Sequence, residues 1–549
     1  MPKYSYAQVS NVPSYHPVYE WLYQQRIKGT LPYYDYESLP HTRGQILEYL
    51  NELNNTDLDR ISEHTRESFV REFDPKELST STRENPQSLF DQDFKTSFKR
   101  IKSWIWSDNE KHVYAWTGGP GYMVVDHAFG RRTMFVKDGN ENRQAPYILN
   151  QHWRSYGTLN DRIGYHLEYI RAVTVGDDWI FDYDGFYSFN WKHRVGANPN
   201  KYHYEGYVTY SQGLIQASIG RGNLKEGIGR TENMIFSRSS IPLDWVRLKV
   251  GKQRFRYTLI HAKPTWRSRI STLEADPTIE TKNSPQRWVA YHELTVQPFP
   301  FLSFSGYEMI NYSNRGAELA YLNPVNRYAF GEWELQDQDN GWFGATMTVR
   351  PIKGVEFATE LSMDDLGEKS DIFSKKIYPA TSRFGRRYSL HWASPWPLVF
   401  WTEYTRLDPF LYSHPYDLNA HTDKGIALGS QVGPNADRME FGAELWGKGR
   451  TFFKLSLSQN RQGLNSYDEN GNLLFLAGAN PNDGRDELVN KSYLFLDGDL
   501  HEWNRWHFQA SWEFKRAYIL KVNADIRDMK KGQQLQNRQI FWADLIIGF

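Results

Sequence analysis

The sequence predicts an all-β transmembrane barrel of about 18 antiparallel strands, preceded by a small helical bundle. Three observations support this prediction. From about residue 112 to the end, apolar side chains recur at every second position, which indicates strands with one apolar face. The other face of almost every strand carries Arg, Glu, His or Lys. The connections between the strands alternate between short and long.

The composition is unusual for a cytosolic enzyme. The 549 residues include 35 Tyr, 31 Phe and 20 Trp, although the mean hydropathy is −0.69. Lys+Arg and Asp+Glu are both 65, so the formal charge is zero and we expect no nucleic-acid partner. Since Cys is absent, disulfides, thiolate zinc sites and Cys nucleophiles are excluded.

The first domain, residues 1–110, is predicted to be the helical bundle and its linker. We expect a first helix that ends at Gly29 and a second helix with Thr42 as its N-cap. Thr56, with Asp59 three residues later, fits a capping-box variant that would begin a third helix. A fourth segment with helical spacing contains Phe90, Phe94, Phe98, Ile101 and Ile105.

The second domain, residues 111–549, is predicted to be the barrel. A charged side chain in a dry core costs several kcal/mol unless it is paired, whereas a water-filled lumen accommodates it at little cost. We therefore expect the apolar faces to meet lipid and the charged faces to meet water. At roughly 24 residues per strand and connection, a chain of this length gives about 18 strands.

The order of the connections and the end of the chain favour a bacterial outer-membrane barrel. Long polar connections are expected at about residues 362–386, 406–438 and 459–504, between tight turns. The chain ends on Phe549, on the same side as Phe541, as is typical of the last strand of such barrels. The sequence has no secretory signal at its start, and we expect it to be the mature chain with an added Met.

Short segments along nearly the whole chain resemble the Wzi-type capsule assembly family of outer-membrane proteins. They are Val18-Tyr19, Leu22, Gly29, Leu31-Pro32, Leu39-Pro40, Thr42-Arg43, Ile46, Gly227–Gly229, Ile235–Ser237, Pro242–Leu248, Tyr291–Leu294, Gly306–Ile310, Tyr321–Pro324, Asp339-Asn340 and Leu361–Asp365. The resemblance implies an 18-stranded barrel with a helical bundle at the periplasmic end. It also implies a surface lectin that helps to retain capsular polysaccharide on the cell. No binding residue is carried over from it.

Two aromatic segments are candidates for polysaccharide contact, because aromatic rings stack on sugars and carboxylates bind hydroxyl pairs. The predicted contact residues are Phe181, Asp182, Tyr183, Asp184 and Trp191 in the first segment, and Phe410, Tyr412 and Tyr416 in the second. The alternative is that these rings belong to the aromatic belt at the membrane interface. Arginines on the polar faces could attract an acidic polysaccharide, but pairing with acidic side chains across the lumen is favoured; they include Arg247, Arg254, Arg256, Arg505 and Arg527.

Enzyme and metal sites find little support. Asp364 and Asp365 are adjacent and would point to opposite faces of a strand. Residues 468–472 and 337–341 have calcium-like spacing but are predicted to be turns. We therefore expect no catalytic residues, metal or cofactor, and a monomer whose partners are capsular or extracellular polysaccharide and outer-membrane lipid. Two alternatives are a pore or exporter for polysaccharide or small solutes, and an outer-membrane hydrolase.

Overall fold

In the computed structural model of the chain, 18 antiparallel strands form a closed barrel. The structure describes residues 8–74, 110–118, 120–175, 183, 201–265, 285–336, 338–364, 376–377, 383–483, 493–531 and 534–548. The strands are β1 Gly121–Asp138, β2 Glu141–Thr158, β3 Ile163–Val175, β4 Lys201–Gln212, β5 Ile215–Gly222, β6 Leu243–Lys252, β7 Phe255–Lys263, β8 Arg287–Phe299, β9 Leu302–Ser313, β10 Asn340–Ile352, β11 Val355–Asp364, β12 Arg383–Ala393, β13 Leu398–Leu407, β14 Ala436–Trp446, β15 Phe452–Leu464, β16 Asp499–Lys515, β17 Tyr518–Lys531 and β18 Gln534–Gly548. Pairing of β18 with β1 closes the ring. The predicted fold class and strand number are confirmed.

The connections divide the barrel into two ends. At one end, which we call the short-turn end, neighbouring strands are joined by turns such as 253–254 and 353–354. The opposite end, the long-loop end, has connections such as 223–242, 314–339 and 408–435. The two strand pairs at the closure of the barrel, β1–β2 and β17–β18, are exceptions because their turns at the long-loop end are short. The predicted alternation is otherwise confirmed.

The two faces of the wall have the predicted polarity. Trp506 and Trp512 on β16 lie on the outer surface and are about half exposed. Arg505 on the same strand points inward, and its Nη2 lies 2.6 Å from Oδ2 of Asp525 on β17. Because adjacent residues of a strand point to opposite faces, this alternation places the apolar band outside and the charges inside.

Among the described residues before the barrel there are three α-helices: α1 Val18–Lys28, α2 Arg43–Glu52 and α3 Arg60–Phe73. Gly29 ends α1 in the left-handed conformation, and Thr42 forms a capping box with Gln45 at the start of α2, as predicted. The predicted N-cap Thr56 is wrong, because the side chain of Asp59 instead accepts the backbone N–H groups of Ile61 and Ser62. The predicted fourth helical segment lies outside the described residues.

The helices pack against the short-turn end. Gly354 N donates to Ile27 O at 2.9 Å, and Thr65 Oγ1 donates to Gly447 O at 3.0 Å. Two further short helices, α4 Leu319–Leu322 and α5 Tyr328–Glu334, lie between β9 and β10. Among the helices that the structure describes, none combines the length and the apolar character needed to cross a membrane.

Candidate functional site

The connection between β5 and β6, residues 223–242, passes through the barrel lumen, and we call it the inner connection. Its Arg230 lies with Nη2 2.9 Å from Glu444 Oε2 on β14 and 3.3 Å from Glu20 Oε2 on α1. The backbone N of Arg230 donates to Glu403 Oε1 at 2.8 Å, and the guanidinium lies 4.5 Å from the ring centre of Trp401. One side chain thus joins the helical bundle to the opposite wall.

Close packing requires a glycine next to Arg230. A Cβ on Gly229 would lie 1.6 Å from the Arg387 guanidinium and 1.7 Å from Glu232 O. The local sequence does not show that this glycine-rich stretch lies inside the barrel, because a Gly-rich turn has the same sequence pattern wherever it packs.

A second connection, residues 408–435, enters the lumen from the long-loop end, and we call it the inward loop. Tyr412 Oη donates to Met234 O of the inner connection at 2.8 Å, and His421 Nε2 donates to Ile235 O at 2.8 Å. Ser430 Oγ donates to Glu232 Oε2 at 2.6 Å. The inner connection therefore contacts α1 on the side of the short-turn end and the inward loop on the side of the long-loop end.

Because of these contacts, most of the side chains along the inner connection are buried from solvent. Arg230 is 1% exposed, Glu444 2% and Trp401 3%. The expectation that the inward charges meet water is therefore wrong here, because chain fills this part of the lumen and the charges meet one another. Pairing with an acidic side chain is found for four of the five predicted arginines: Arg247 and Arg256 lie near Glu226 and Asp35, and Arg505 and Arg527 near Asp525 on β17. Arg254 instead lies in the exposed turn 253–254, with its guanidinium 5.2 Å from the centre of the Tyr33 ring.

The pKa of Glu20 shows how this network keeps its charges. Burial opposes ionisation of Glu20, but the guanidinium groups of Arg238 and Arg230 hold its pKa well below the usual value. Tyr36 Oη also donates to Glu20 Oε1 at 2.7 Å. Glu20 is therefore ionised and anchors both arginines of the inner connection to α1.

The predicted contact residues of the second aromatic segment are divided between core and surface. Phe410 and Tyr412 are buried in the inward loop, with φ of 64° and 76°. The Tyr412 ring stacks on Trp342 with ring centres 5.4 Å apart, and the Phe410 ring meets the edge of Tyr493 at 4.8 Å. Tyr416 is 64% exposed. Of the three rings, only Tyr416 has a free face in the described structure; sugar contact by any of them stays a prediction.

The first aromatic segment lies mostly outside the described residues, including Phe181, Asp182, Asp184 and Trp191. Tyr183 is described, and its Oη donates to Asp138 Oδ2 at 3.2 Å at the long-loop end. The Arg538 guanidinium lies 5.4 Å from the centre of the same ring. Sugar contact by this segment stays a prediction.

The long-loop end has a further exposed hairpin, of which the sequence predicts only the turn at residues 468–472. It pairs Ser466–Tyr467 with Leu473–Phe475. Tyr467 is 55% exposed and Leu474 68%. Together with Tyr416 and Asn470, these residues define what we call the loop-end surface. An exposed Tyr next to Asn-rich turn residues is the signal that could have identified it.

The turn of this hairpin is closed by hydrogen bonds to the Asp468 carboxylate. Asp468 Oδ1 accepts the backbone N–H groups of Asn470 at 2.9 Å and Asn472 at 2.7 Å. Hydrogen bonds from the Asn472 side chain and from these amides lower the pKa of Asp468. Its carboxylate is used within the turn, which confirms the turn prediction. Among the described residues, no group of three or more His, Asp or Glu is arranged to hold a metal ion.

Hydrogen bonds between the inward loop and the connection between β15 and β16 hold the loop-end surface in place. Phe410 N donates to Gly478 O at 2.8 Å, and Asn482 Nδ2 donates to Gly425 O at 2.7 Å. Asn435 Nδ2 donates to Asp497 O at 2.9 Å. The described parts of the connection between β15 and β16 are thereby bonded to the inward loop, and this arrangement can present aromatic and amide groups to an extended ligand.

Comparisons with known proteins agree with the architecture. No family model and no curated protein sequence matches the chain. The chain is similar to the solved structure of Wzi, described as an outer membrane protein involved in group 1 capsule assembly in Escherichia coli and as a carbohydrate-binding β-barrel, with a TM-score of 0.55 and 10% identity over 98% of this chain and 99% of that one. A second solved structure, the outer membrane protein OprD from Pseudomonas aeruginosa, has a TM-score of 0.41 and 9% identity over 78% of this chain and 94% of that one. The likeness to Wzi shows an outer-membrane barrel fold.

Proposed function

We propose that the protein lies in the bacterial outer membrane, binds capsular or other extracellular polysaccharide and helps to attach or assemble it at the cell surface. The main observation is that α1, the inner connection and the inward loop pack together inside the lumen, while aromatic and amide groups are exposed at the long-loop end. In this proposal the short-turn end is periplasmic and the long-loop end faces outward.

We also propose that the chain is a distant member of the Wzi-type family, a carbohydrate-binding member of which is described above. The fold similarity over nearly the whole of both chains supports this. The short segments that resemble the family agree with it, since Gly227–Gly229 and Ile235–Ser237 lie in the inner connection and Pro242–Leu248 begins at its last residue. The polysaccharide itself is left open by the proposal.

The chemistry of the loop-end surface suits a sugar polymer. The faces of Tyr416 and Tyr467 can stack on apolar C–H groups of a sugar ring, and the Asn470 amide can donate to and accept from hydroxyl groups. Each contact is weak, but a polymer presents many identical units, so that several contacts along one chain add in avidity.

Binding is tested with purified protein in detergent and a panel of acidic and neutral bacterial polysaccharides. We expect retention of at least one polysaccharide and a several-fold loss in the double variant Tyr416→Ala/Tyr467→Ala. Tyr114→Ala is the matched control, because Tyr114 is also exposed but lies near the short-turn end. Absence of retention across the panel, or an equal loss in the control, contradicts the proposal.

The competing pore or exporter is tested in planar bilayers. The packing of the inner connection and the inward loop inside the lumen predicts no steady conductance, whereas long-lived open channels would favour the pore. In the cell, a deletion strain is expected to lose attached polysaccharide while releasing normal amounts into the medium. Unchanged attachment would contradict a role at the surface.

A further inference from the structure

Part of the barrel wall has outward-facing residues that are covered by the chain itself. On β9, Met309 points into the lumen, so its neighbour Ile310 and then Tyr312 point outward. Ile310 and Tyr312 are nevertheless 0% exposed, as is Ala290 beside them on β8. They pack with residues of the connection between β9 and β10, in which we call residues 314–336 the outer hairpin.

The outer hairpin also satisfies polar groups on this face of the wall. Glu308 Oε2 accepts the backbone N–H of Tyr328 at 2.8 Å, and its other oxygen pairs with Arg327. The His292 ring lies 3.2 Å from Glu308 and stacks on the Tyr328 ring, with centres 4.2 Å apart. A carboxylate facing lipid would be costly, and the outer hairpin removes that cost.

The tip of the outer hairpin lies far down the wall. Pro324 O accepts a hydrogen bond from Tyr257 Oη on β7, and Tyr257 pairs with Leu294 on β8. Leu294 lies five residues before Phe299, which stacks on Phe301 at the short-turn end. Five residues of a tilted strand rise about 13 Å, so the tip lies near the middle of an apolar band about 25 Å tall.

The outer hairpin exposes both polar and apolar side chains. The exposed polar ones are Asn314, Asn323, Arg327, Glu334 and Gln336. The exposed apolar ones form a surface of Leu319, Leu322, Val325, Phe330 and Trp333, of which Leu319 is 81% exposed and Val325 87%. This surface continues the apolar outer wall at Leu294, Val296 and Phe304. The helices satisfy part of their own backbone, with Leu322 N donating to Glu318 O and Leu335 N to Gly331 O.

We propose that the outer hairpin is inserted in the bilayer, with its apolar surface in contact with the acyl chains of the leaflet at the long-loop end. Three features indicate that acyl chains contact this surface. The tip of the outer hairpin lies near the middle of the apolar band, and its apolar surface continues the lipid-facing wall. The polar contacts of the hairpin, such as those with Glu308, are directed towards the wall. A patch of this size would be unusual in water. The inference rests on the barrel fold and is independent of polysaccharide binding.

The absence of native Cys allows single nitroxide labels to be placed without background. Leu319→Cys and Val325→Cys are labelled in proteoliposomes, and collision rates with oxygen and with a water-soluble nickel chelate are compared. Phe304→Cys is the lipid-facing control and Asn470→Cys the water-facing control, since both are exposed. A heat-dependent gel shift checks that each labelled barrel is folded.

We expect the label at position 325 to collide with oxygen several-fold more often, relative to nickel, than the label at 470, and to resemble the label at 304. Nickel collisions as frequent as at 470 would overturn the proposal by placing the outer hairpin in water. Labels shielded from both reagents, with spin–spin broadening between copies, would overturn it in favour of an interface between two copies of the chain.

Discussion

Arg230 of the inner connection forms an ion pair with Glu444 on β14, with 2.9 Å between Nη2 and Oε2. The inner connection leaves the wall at β5, and β14 is nine strands further along a ring of 18, so the pair lies half the circumference away. Because Arg230 also approaches Glu20 of α1, a single buried cation links two sides of the wall and the helical bundle.

Arg230→Met is expected to destabilise the protein strongly. Removing one partner leaves Glu444 and Glu20 buried without part of their compensation, which typically costs about 3–5 kcal/mol. The thermal midpoint in detergent, followed by circular dichroism, should fall well below that of the native chain.

Arg162→Met is the matched control for this prediction, because Arg162 is exposed in the turn between β2 and β3. Its midpoint should stay close to the native value. If both variants unfold at the same temperature as the native protein, the ion pairs of Arg230 do not contribute to stability. Other contacts must then hold the inner connection inside the barrel.

The sequence predicts the strands of the barrel wall better than the positions of the segments that lie inside the barrel. Alternation along a strand such as β16 is a local property, since lipid outside and polar contacts inside impose it residue by residue. The position of Arg230 depends on Glu20 and Glu444, more than 200 residues away on either side, and no local pattern encodes such contacts.

The candidate contact residues illustrate the same limit. Tyr412 and Tyr416 are four residues apart and chemically identical, yet one is buried beside Trp342 and the other is exposed. Composition identifies both as possible sugar platforms. Only long-range packing decides which ring has a free face, and it likewise decides that the outer hairpin lies outside the barrel.

We expect His41 to make the free energy of unfolding depend on pH. It is buried between α1 and α2, and burial, with a further effect of Lys249, lowers its pKa to about 3. The pKa of an unfolded His is about 6.5, so the unfolded chain binds the proton first as the pH falls. The neutral, folded form is favoured fully above pH 6.5, and stability is lost progressively between about 6.5 and 3.

His41→Gln should remove this loss. At pH 5 the native chain should lose about 2 kcal/mol relative to pH 7 from this group, a loss that the variant avoids. The measurement is the urea midpoint at pH 7, 6, 5 and 4, with His64→Gln as control because His64 is about half exposed on α3. Parallel curves for native and His41→Gln protein would contradict the assignment.

Gly164 on β3 is predicted to be needed for docking of the N-terminal segment. A Cβ there would lie 2.3 Å from Ser10 N and 2.5 Å from Val9 C. Gly164→Ala must therefore displace this backbone, at a cost of roughly 1–3 kcal/mol. Gly306→Ala on β9 is the control, since nothing lies within 4 Å of its Cβ. We expect faster proteolysis near residue 10 and a lower thermal midpoint only for Gly164→Ala.

The last prediction concerns support of the loop-end surface by Gly478. Gly478 has φ of 69°, and a Cβ on it would lie 2.6 Å from the Phe410 ring. Gly478→Ala therefore adds a clash to the backbone strain of about 1 kcal/mol, and should shift Phe410 and the inward loop.

Gly471→Ala separates the two effects, because Gly471 has φ of 83° but nothing within 4 Å of its Cβ. Under the proposed function, Gly478→Ala should reduce polysaccharide retention several-fold in the detergent assay, while Gly471→Ala retains nearly the native amount. Both variants should keep the heat-dependent gel shift of a closed barrel, since neither residue lies in a barrel strand. Equal retention by the two variants would mean that packing of Phe410 does not hold the loop-end surface in place.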